Sequence, residues 1–391
     1  MKSKQTAERL ENVTFSGIRD VFETVSRLER EGKDIVHMEI GRPDFDTPEP
    51  IKQAAIKALN QGFVYYTSSA GITELREAIA RKLAQDNGIS VSPTGLVVTA
   101  GASEAIFCSI MTFLNPGDEV IIPEPMYVYY KDWAEFAGAT TVSVPLRKER
   151  GYQPDPDEIE GLINDRTRML VLNYPHNPTG VVLDRKILDE IADLVIKEDL
   201  LVLSDEIYER ITYGDVENVS PASLPGMEDR TLTVNGFSKS YSMTGWRLGY
   251  VAGEEELIQP LLKTRQHTSN CPCSFGQKGA VIALRDCQSH LESMVEEFDR
   301  RRNLVIEALN QITGLELVKP MGAFYAFPSI KGFDLDSYQM AEYLLEEANV
   351  AVVPGAEFGK TGEGHVRIAY STSYRQLEEG LQRIHRALEK L

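Results

Sequence analysis

The sequence predicts an α/β fold, with a large domain on a mostly parallel seven-stranded sheet and a smaller α+β domain. Two patterns carry this expectation. From residue 95 to 252, short apolar runs alternate with amphipathic helical stretches, the signature of parallel strands with helices on both faces. Beyond residue 254 the order changes to a long helical region and then to mixed strands and helices. The length of 391 residues leaves room for a large core and two domains.

The elements follow in order. Residues 1–33 read as an arm and then a helix, with Ile18, Val21, Phe22, Val25 and Leu28 on one face after Ser16-Gly17. Residues 34–40 form a short strand that ends in the turn Gly41-Arg42-Pro43-Asp44-Phe45-Asp46-Thr47-Pro48. Helices are expected over 50–61 and 73–86. The seven strands of the large domain fall at 95–99, 119–122, 140–144, 169–173, 200–204, 231–234 and 249–252. Helices at 103–114, 128–137, 156–163 and 184–198 lie between them. A helical region runs with interruptions from 254 to 311. Strands at 315–318, 323–328, 350–353 and 365–369, with helices at 336–348 and 374–388, complete the chain. The expected division is 1–48 for the arm and part of the small domain, 49–290 for the large domain, and 291–391 for the rest of the small one.

Composition narrows the function. The net charge of −18 repels nucleic acid backbones and anionic membranes, so positive charge around an anionic ligand must come from a few placed arginines. No apolar run approaches the ~20 residues that span a bilayer. Residues 1–13 lack the apolar centre of a secretory signal, and the expected location is the cytoplasm. Cys271-Pro272-Cys273 is too tightly spaced for a zinc pair, and no second Cys or His pair has metal spacing. Cys108, Cys271, Cys273 and Cys287 read as free thiols, and no metal is expected.

Polar clusters collect at the ends of the predicted strands, where α/β proteins place their chemistry. Asn235-Gly236-Phe237-Ser238-Lys239 leads into Thr244-Gly245-Trp246-Arg247. A lysine set there among small and aromatic residues suits covalent attachment of pyridoxal phosphate, with Ser238 and Arg247 on its phosphate. An ordinary strand-end loop is the competing reading. Thr99-Ala100-Gly101-Ala102-Ser103 offers the free N–H groups of a helix start to a phosphate, or is a plain turn. In Asn173-Tyr174-Pro175-His176-Asn177-Pro178-Thr179-Gly180, Asn177 could serve a ring oxygen and a carboxylate, and an X-Pro bond could be cis. Asp205, in Ser204-Asp205-Glu206-Ile207-Tyr208, could keep a pyridine nitrogen protonated, although carboxylates also favour helix starts. Ile207 shares its side if the strand continues, and Tyr208 could reach the ring oxygen. Tyr127 could stack on a ring or simply pack. Arg367, inside an apolar strand, needs an anionic partner that its fork can match.

Together these motifs resemble the class I aminotransferases, the fold type I enzymes dependent on pyridoxal 5′-phosphate (PLP), over nearly the whole chain from Ser16 to Leu388. The branch they resemble includes aspartate, aromatic and broad-specificity transaminases. The resemblance implies Lys239 as the covalent anchor and proton carrier, and Asp205 on the pyridine nitrogen. It implies Asn177 and Tyr208 on the phenolic oxygen, Tyr127 stacked on the ring and Ile207 packed beneath it. Ala102, Ser103, Ser238 and Arg247 would hold the phosphate. Arg367 and Asn177, with the Gly41 backbone beside them, would grip the substrate α-carboxylate. Tyr66 matches a tyrosine that reaches the phosphate of a neighbouring subunit, which implies a homodimer with shared sites.

The implied reaction moves an amino group from an L-amino acid to a 2-oxo acid, 2-oxoglutarate or pyruvate, in ping-pong fashion. Some dicarboxylate-preferring relatives have a lysine where this chain has Ser103, which weighs against strict aspartate use. The stretches around Glu124-Pro125-Met126-Tyr127-Val128 and Ser220-Pro221-Ala222 also resemble transaminases with other donors, such as arginine with pyruvate. The same fold serves carbon–sulfur β-lyases. It also serves non-catalytic sensors, which carry a DNA-binding domain ahead of it, whereas only about fifteen residues precede the first matching segment here and the chain is acidic.

Overall fold

The computed structural model describes residues 7–10, 13 and 17–391, with the backbone alone at 8 and 18–20. The expected arm, Ser16 included, lies largely outside the described residues, as does the side chain of Ile18.

The central sheet has the strands β1 (Leu96–Thr99), β2 (Glu119–Glu124), β3 (Thr140–Pro145), β4 (Thr167–Asn173), β5 (Leu201–Asp205), β6 (Thr231–Gly236) and β7 (Gly249–Ala252). Their order is β1-β7-β6-β5-β4-β2-β3. Only β7 runs against the rest, antiparallel to both β6 and β1. Side chains of successive residues enter different cores. Val120 and Ile122 join one apolar cluster and Ile121 the other; Met169 and Val171 part from Leu170 and Leu172 in the same way. A sheet buried on both faces explains why these strands read as unbroken apolar runs.

Helices Ala102–Phe113, Tyr129–Ala137 and Glu255–Ser269 supply one of those clusters, and Pro156–Leu162 and Arg185–Lys197 supply the other. Asp184 caps Arg185–Lys197 by accepting the N–H groups of Lys186 and Ile187. A capping box between Asp336 and Gln339 opens Ser337–Glu347. These local stops explain why helix positions were legible in the sequence.

The late part of the chain has its own core. Helices Gln288–Asn310, Ser337–Glu347 and Tyr374–Leu388 pack Phe298, Leu344, Leu381 and Ile384 around Phe324, Tyr325 and Ile368. The two-residue strand Val36–His37 pairs in parallel with Val350–Ala351, which ties the early segment to this region. Four sequence expectations change here, the first being the strand expected over 323–328, which is confined to Tyr325–Ala326. The strand expected over 350–353 is two, because the chain turns to a second sheet: Val353–Pro354 pairs with Val366 and Arg367. The strand expected over 315–318 is absent, since only Glu316 finds a bridging partner, Ser329. The strand over 34–40 shrinks to Val36–His37, the length of its partner. Among the described residues, no helix is long and apolar enough to cross a membrane.

Candidate active site

The ends of β4, β5 and β6 deliver the polar side chains to one place. Asn173 closes β4 opposite Asp205, the last residue of β5. Its Nδ2 donates to the Asp205 carbonyl at 3.1 Å, and its Oδ1 accepts the Asn177 N–H at 3.2 Å. The loop therefore folds back over the strand end, with cis peptide bonds before Pro175 and Pro178. Lys239 follows the end of β6, and its Nζ donates to the Gly41 carbonyl at 2.6 Å. A side chain at Gly41 would collide with the Tyr325 hydroxyl, so the close approach requires glycine.

These residues line a cavity of about 600 Å³. Gly41, Ala102, Ser103, Tyr127, Asn177, Asp205, Ile207, Tyr208, Ser238, Lys239, Arg247 and Arg367 all face it. Tyr66 does not; it is 84% exposed on the surface beside Tyr65 and Val64. Ile207 reaches the cavity by a route other than the expected one. β5 stops at Asp205, and the chain turns there because the Ile207 N–H donates to Asp205 Oδ1 at 3.2 Å.

The cavity is cationic in a protein of net charge −18. Arg367 is 3% exposed, and its ring-facing guanidinium bonds only neutral oxygens: Asn177 Oδ1 at 3.1 Å and the Glu39 carbonyl at 2.7 Å. Its Nε has no partner. The Glu39 side chain bonds His37 Nδ1 at 2.8 Å, with His37 raised to about 9 chiefly by that contact. A buried guanidinium left without a counter-ion costs several kcal/mol, about 3–5 by the measure of broken buried pairs, so the site is built for an anion. At the other end, Arg247 donates to the carbonyls of Thr244 at 3.1 Å and Ala100 at 3.4 Å. It lies against Gly101, where an added Cβ would come within 2.5 Å of its Nη2. Gly101, at φ 85°, opens the helix Ala102–Phe113, whose first residues, Ala102 and Ser103, line the cavity and whose first-turn N–H groups have no partner within the helix.

Between the two arginines lie the acid and the amine. Burial lowers Lys239 to about 8, with Arg367 and Arg247 adding to the effect and Asp205 opposing it. Burial raises Asp205 to about 6, while Tyr130, the Ile207 N–H and Lys239 pull it down. An amine that is partly neutral near pH 8 can attack an aldehyde and carry a proton. The cavity thus offers an arginine with helix N–H groups for a phosphate, a carboxylate for a ring nitrogen, an amine, and a second arginine for a carboxylate. PLP fits this donor set.

Sequence reasoning missed several residues here. Tyr130 donates to Asp205 Oδ2 at 2.6 Å. Tyr325 shares a 2.7 Å hydrogen bond with the Tyr208 hydroxyl, the group expected on a ring oxygen. Phe22 and Tyr129 also line the cavity. Tyr130 could have been found by its spacing from Tyr127, since residues three apart at a helix start share a face. Tyr325 gave no signal beyond a strand aromatic.

Comparison with known proteins shows the family. Residues 33–384 match the family aminotransferase class I and II. The aromatic-amino-acid aminotransferase 2 of Thermococcus litoralis and the aspartate aminotransferase of Pyrococcus abyssi are each 45% identical over 387 residues, 98% of both chains. The crystal structure of the aromatic aminotransferase of Pyrococcus horikoshii superposes with a TM-score of 0.89 at 46% identity, covering 95% of this chain and 99% of that one. With a family match over most of its length and relatives of this identity, the chain belongs to the class I and II aminotransferases, enzymes that use pyridoxal 5′-phosphate.

Proposed function

We propose that this aminotransferase takes aromatic and other apolar L-amino acids as donors, with 2-oxoglutarate or pyruvate as acceptor. The observation that supports it is the lining of the cavity, where Phe22, Val128 and Tyr129 add apolar and aromatic surface and the cations are Lys239, Arg247 and Arg367, to which the proposal gives the cofactor and one carboxylate. The relatives named for aromatic amino acids and for aspartate frame the choice.

In this reading Lys239 anchors the cofactor and Asp205 pairs with its ring nitrogen. Tyr127 lies against the ring and Ile207 beneath it. Asn177 and Tyr208 serve the phenolic oxygen. Ala102, Ser103, Ser238 and Arg247 hold the phosphate. Arg367 and Asn177, beside Gly41, grip the α-carboxylate of the amino acid, which fixes the direction of its Cα–H bond. Lys239 Nζ then takes the Cα proton and returns it, which its lowered basicity permits. When bound, the cofactor supplies an electron sink for the pair left at Cα. Amino acid and 2-oxo acid occupy the same cavity in turn, which gives ping-pong kinetics.

The exposed cluster of Val64, Tyr65 and Tyr66, at 53%, 82% and 84%, supports a homodimer in which Tyr66 reaches the partner's phosphate site. A cytoplasmic location and a division into 1–48, 49–290 and 291–391 belong to the same proposal. The apolar core around Phe298 and Ile368, distinct from the clusters on the two faces of the large sheet although it takes in Ile207 to Tyr213, supports the division.

The test is kcat/KM for phenylalanine, tyrosine, alanine, aspartate and glutamate against both acceptors. Aromatic donors are expected to exceed aspartate by roughly tenfold or more, the scale of an apolar pocket against a charged side chain. Equal or better use of aspartate would overturn the donor assignment.

A further inference from the structure

We infer that Tyr130 is a positioning residue for the transamination: its hydroxyl holds Asp205 in one orientation as a carboxylate and thereby sets how firmly the cofactor's ring nitrogen keeps its proton. The inference rests on the proposed pairing of Asp205 with that nitrogen.

The geometry is specific. Tyr130 donates to Asp205 Oδ2 at 2.6 Å, with the two residues 1% and 4% exposed. Oδ1 accepts the Ile207 N–H at 3.2 Å, a longer and weaker contact. One oxygen is thus occupied by a short bond, and the other keeps acceptor capacity toward the cavity. Tyr130 stands in the first turn of the helix Tyr129–Ala137, three residues beyond Tyr127. The two rings meet edge to face, with centroids 5.5 Å apart. A single segment therefore presents Tyr127 and Tyr129 to the cavity and Tyr130 to the acid.

The chemistry favours a phenol in this position. A buried carboxylate drifts toward its neutral form, and a neutral carboxyl cannot stabilise a pyridinium. A lysine or arginine would keep Asp205 ionised, but would repel the protonated ring nitrogen. A phenol stabilises the anion with a charge-assisted bond and adds no positive charge. Burial, reinforced by Asp205 itself, keeps the Tyr130 hydroxyl protonated, so it remains a donor at every working pH. Among the influences that hold the Asp205 carboxyl down against burial, Tyr130 is the largest.

The experiment loads the enzyme with PLP labelled with ¹⁵N in the ring and follows the ¹⁵N shift with pH in wild type, Tyr130→Phe and Asp205→Asn. Wild type is expected to keep the nitrogen protonated from about pH 6 to 9. In Tyr130→Phe the midpoint should fall by roughly 1–2 pH units, the size of a hydrogen bond's effect on a buried acid. Its kcat should fall roughly tenfold with KM little changed, the pattern of a lost transition-state interaction. A Tyr130→Phe profile that superposes on wild type overturns the inference. Asp205→Asn separates this from the reading beneath it. A deprotonated nitrogen there upholds the Asp205 pairing, whereas wild-type protonation removes that pairing and the inference with it. If the phenylalanine variant does not fold, Tyr130→His decides, because it retains an N–H donor. A protonated nitrogen in that folded holoenzyme supports the inference, and an unprotonated one overturns it.

Discussion

Asp205 and Glu206 are neighbours in the chain, 4% and 1% exposed, yet they belong to different regions of the molecule. Burial raises both, Asp205 to about 6 and Glu206 to about 7. Asp205 lines the cavity, where Tyr130, a backbone N–H and Lys239 draw it back toward the anion. Glu206 does not line it. Ser204 and Ser220 both donate to its Oε1, at 2.9 and 2.6 Å, and its Oε2 has no partner. Glu209 next to it pushes it further toward the neutral form. Behind the sheet end, Glu209 is itself held by Lys82 and Asn87. The difference teaches that desolvation alone does not mark a working carboxylate. The face on which each leaves the strand decides what opposes that desolvation: a phenol, a backbone N–H and an amine at Asp205, but two serines and Lys82, set against the nearby Glu209, at Glu206.

The contrast can be broken from either side. On the cavity side, Lys239→Ala should lower turnover by roughly 10⁴-fold or more, since the proposed reading makes anchor and proton carrier one group, while leaving the melting curve of the apoprotein nearly unchanged. Behind the sheet, Lys82→Met should do the reverse. It strands the Glu209 carboxylate, whose side chain is 5% exposed, and should cost about 3–5 kcal/mol in denaturant unfolding with kcat little affected. Glu206 gives a pH signature of its own. Its folded value is raised from 4.5 to about 7, so its contribution to stability is complete below pH 4.5 and lost as pH rises through 7. Glu206→Gln should remove up to about 3 kcal/mol of that decline, seen as a flatter plot of unfolding free energy against pH. The smallest effect is expected for Ser220→Ala, which removes one of two donors to Glu206 and should cost about 1 kcal/mol.

The legible and illegible parts divide along similar lines. The large sheet could be read because its strands, the edge strand β3 excepted, are buried on both faces and its helices carry caps such as Asp184. The cavity residues at strand ends could be read because glycine, proline and polar side chains interrupt apolar runs there. Arg367 was visible as a charge inside an apolar strand. The small strands were not, because two-residue ladders such as Val36–His37 with Val350–Ala351 depend on a partner more than 300 positions away. Tyr130 and Tyr325 escaped because a tyrosine looks like core until its hydroxyl is seen to reach Asp205 or Tyr208. Asp205 and Glu206 could not be told apart by composition; the place of Asp205 at the end of the predicted strand singled it out, and the resemblance at Ser204-Asp205-Glu206-Ile207-Tyr208 implied the same.

The most direct measurement is the single-turnover reaction of the PLP-loaded enzyme with an amino acid donor, without 2-oxo acid, for Asp205→Asn and Glu206→Gln side by side. The cofactor absorbance reports the amino group's arrival. The account predicts that Asp205→Asn slows this step by roughly 10²- to 10³-fold, as loss of a preorganised charge does, while Glu206→Gln stays within about twofold of wild type. Equal losses in the two variants, or a larger loss for Glu206→Gln, would contradict it.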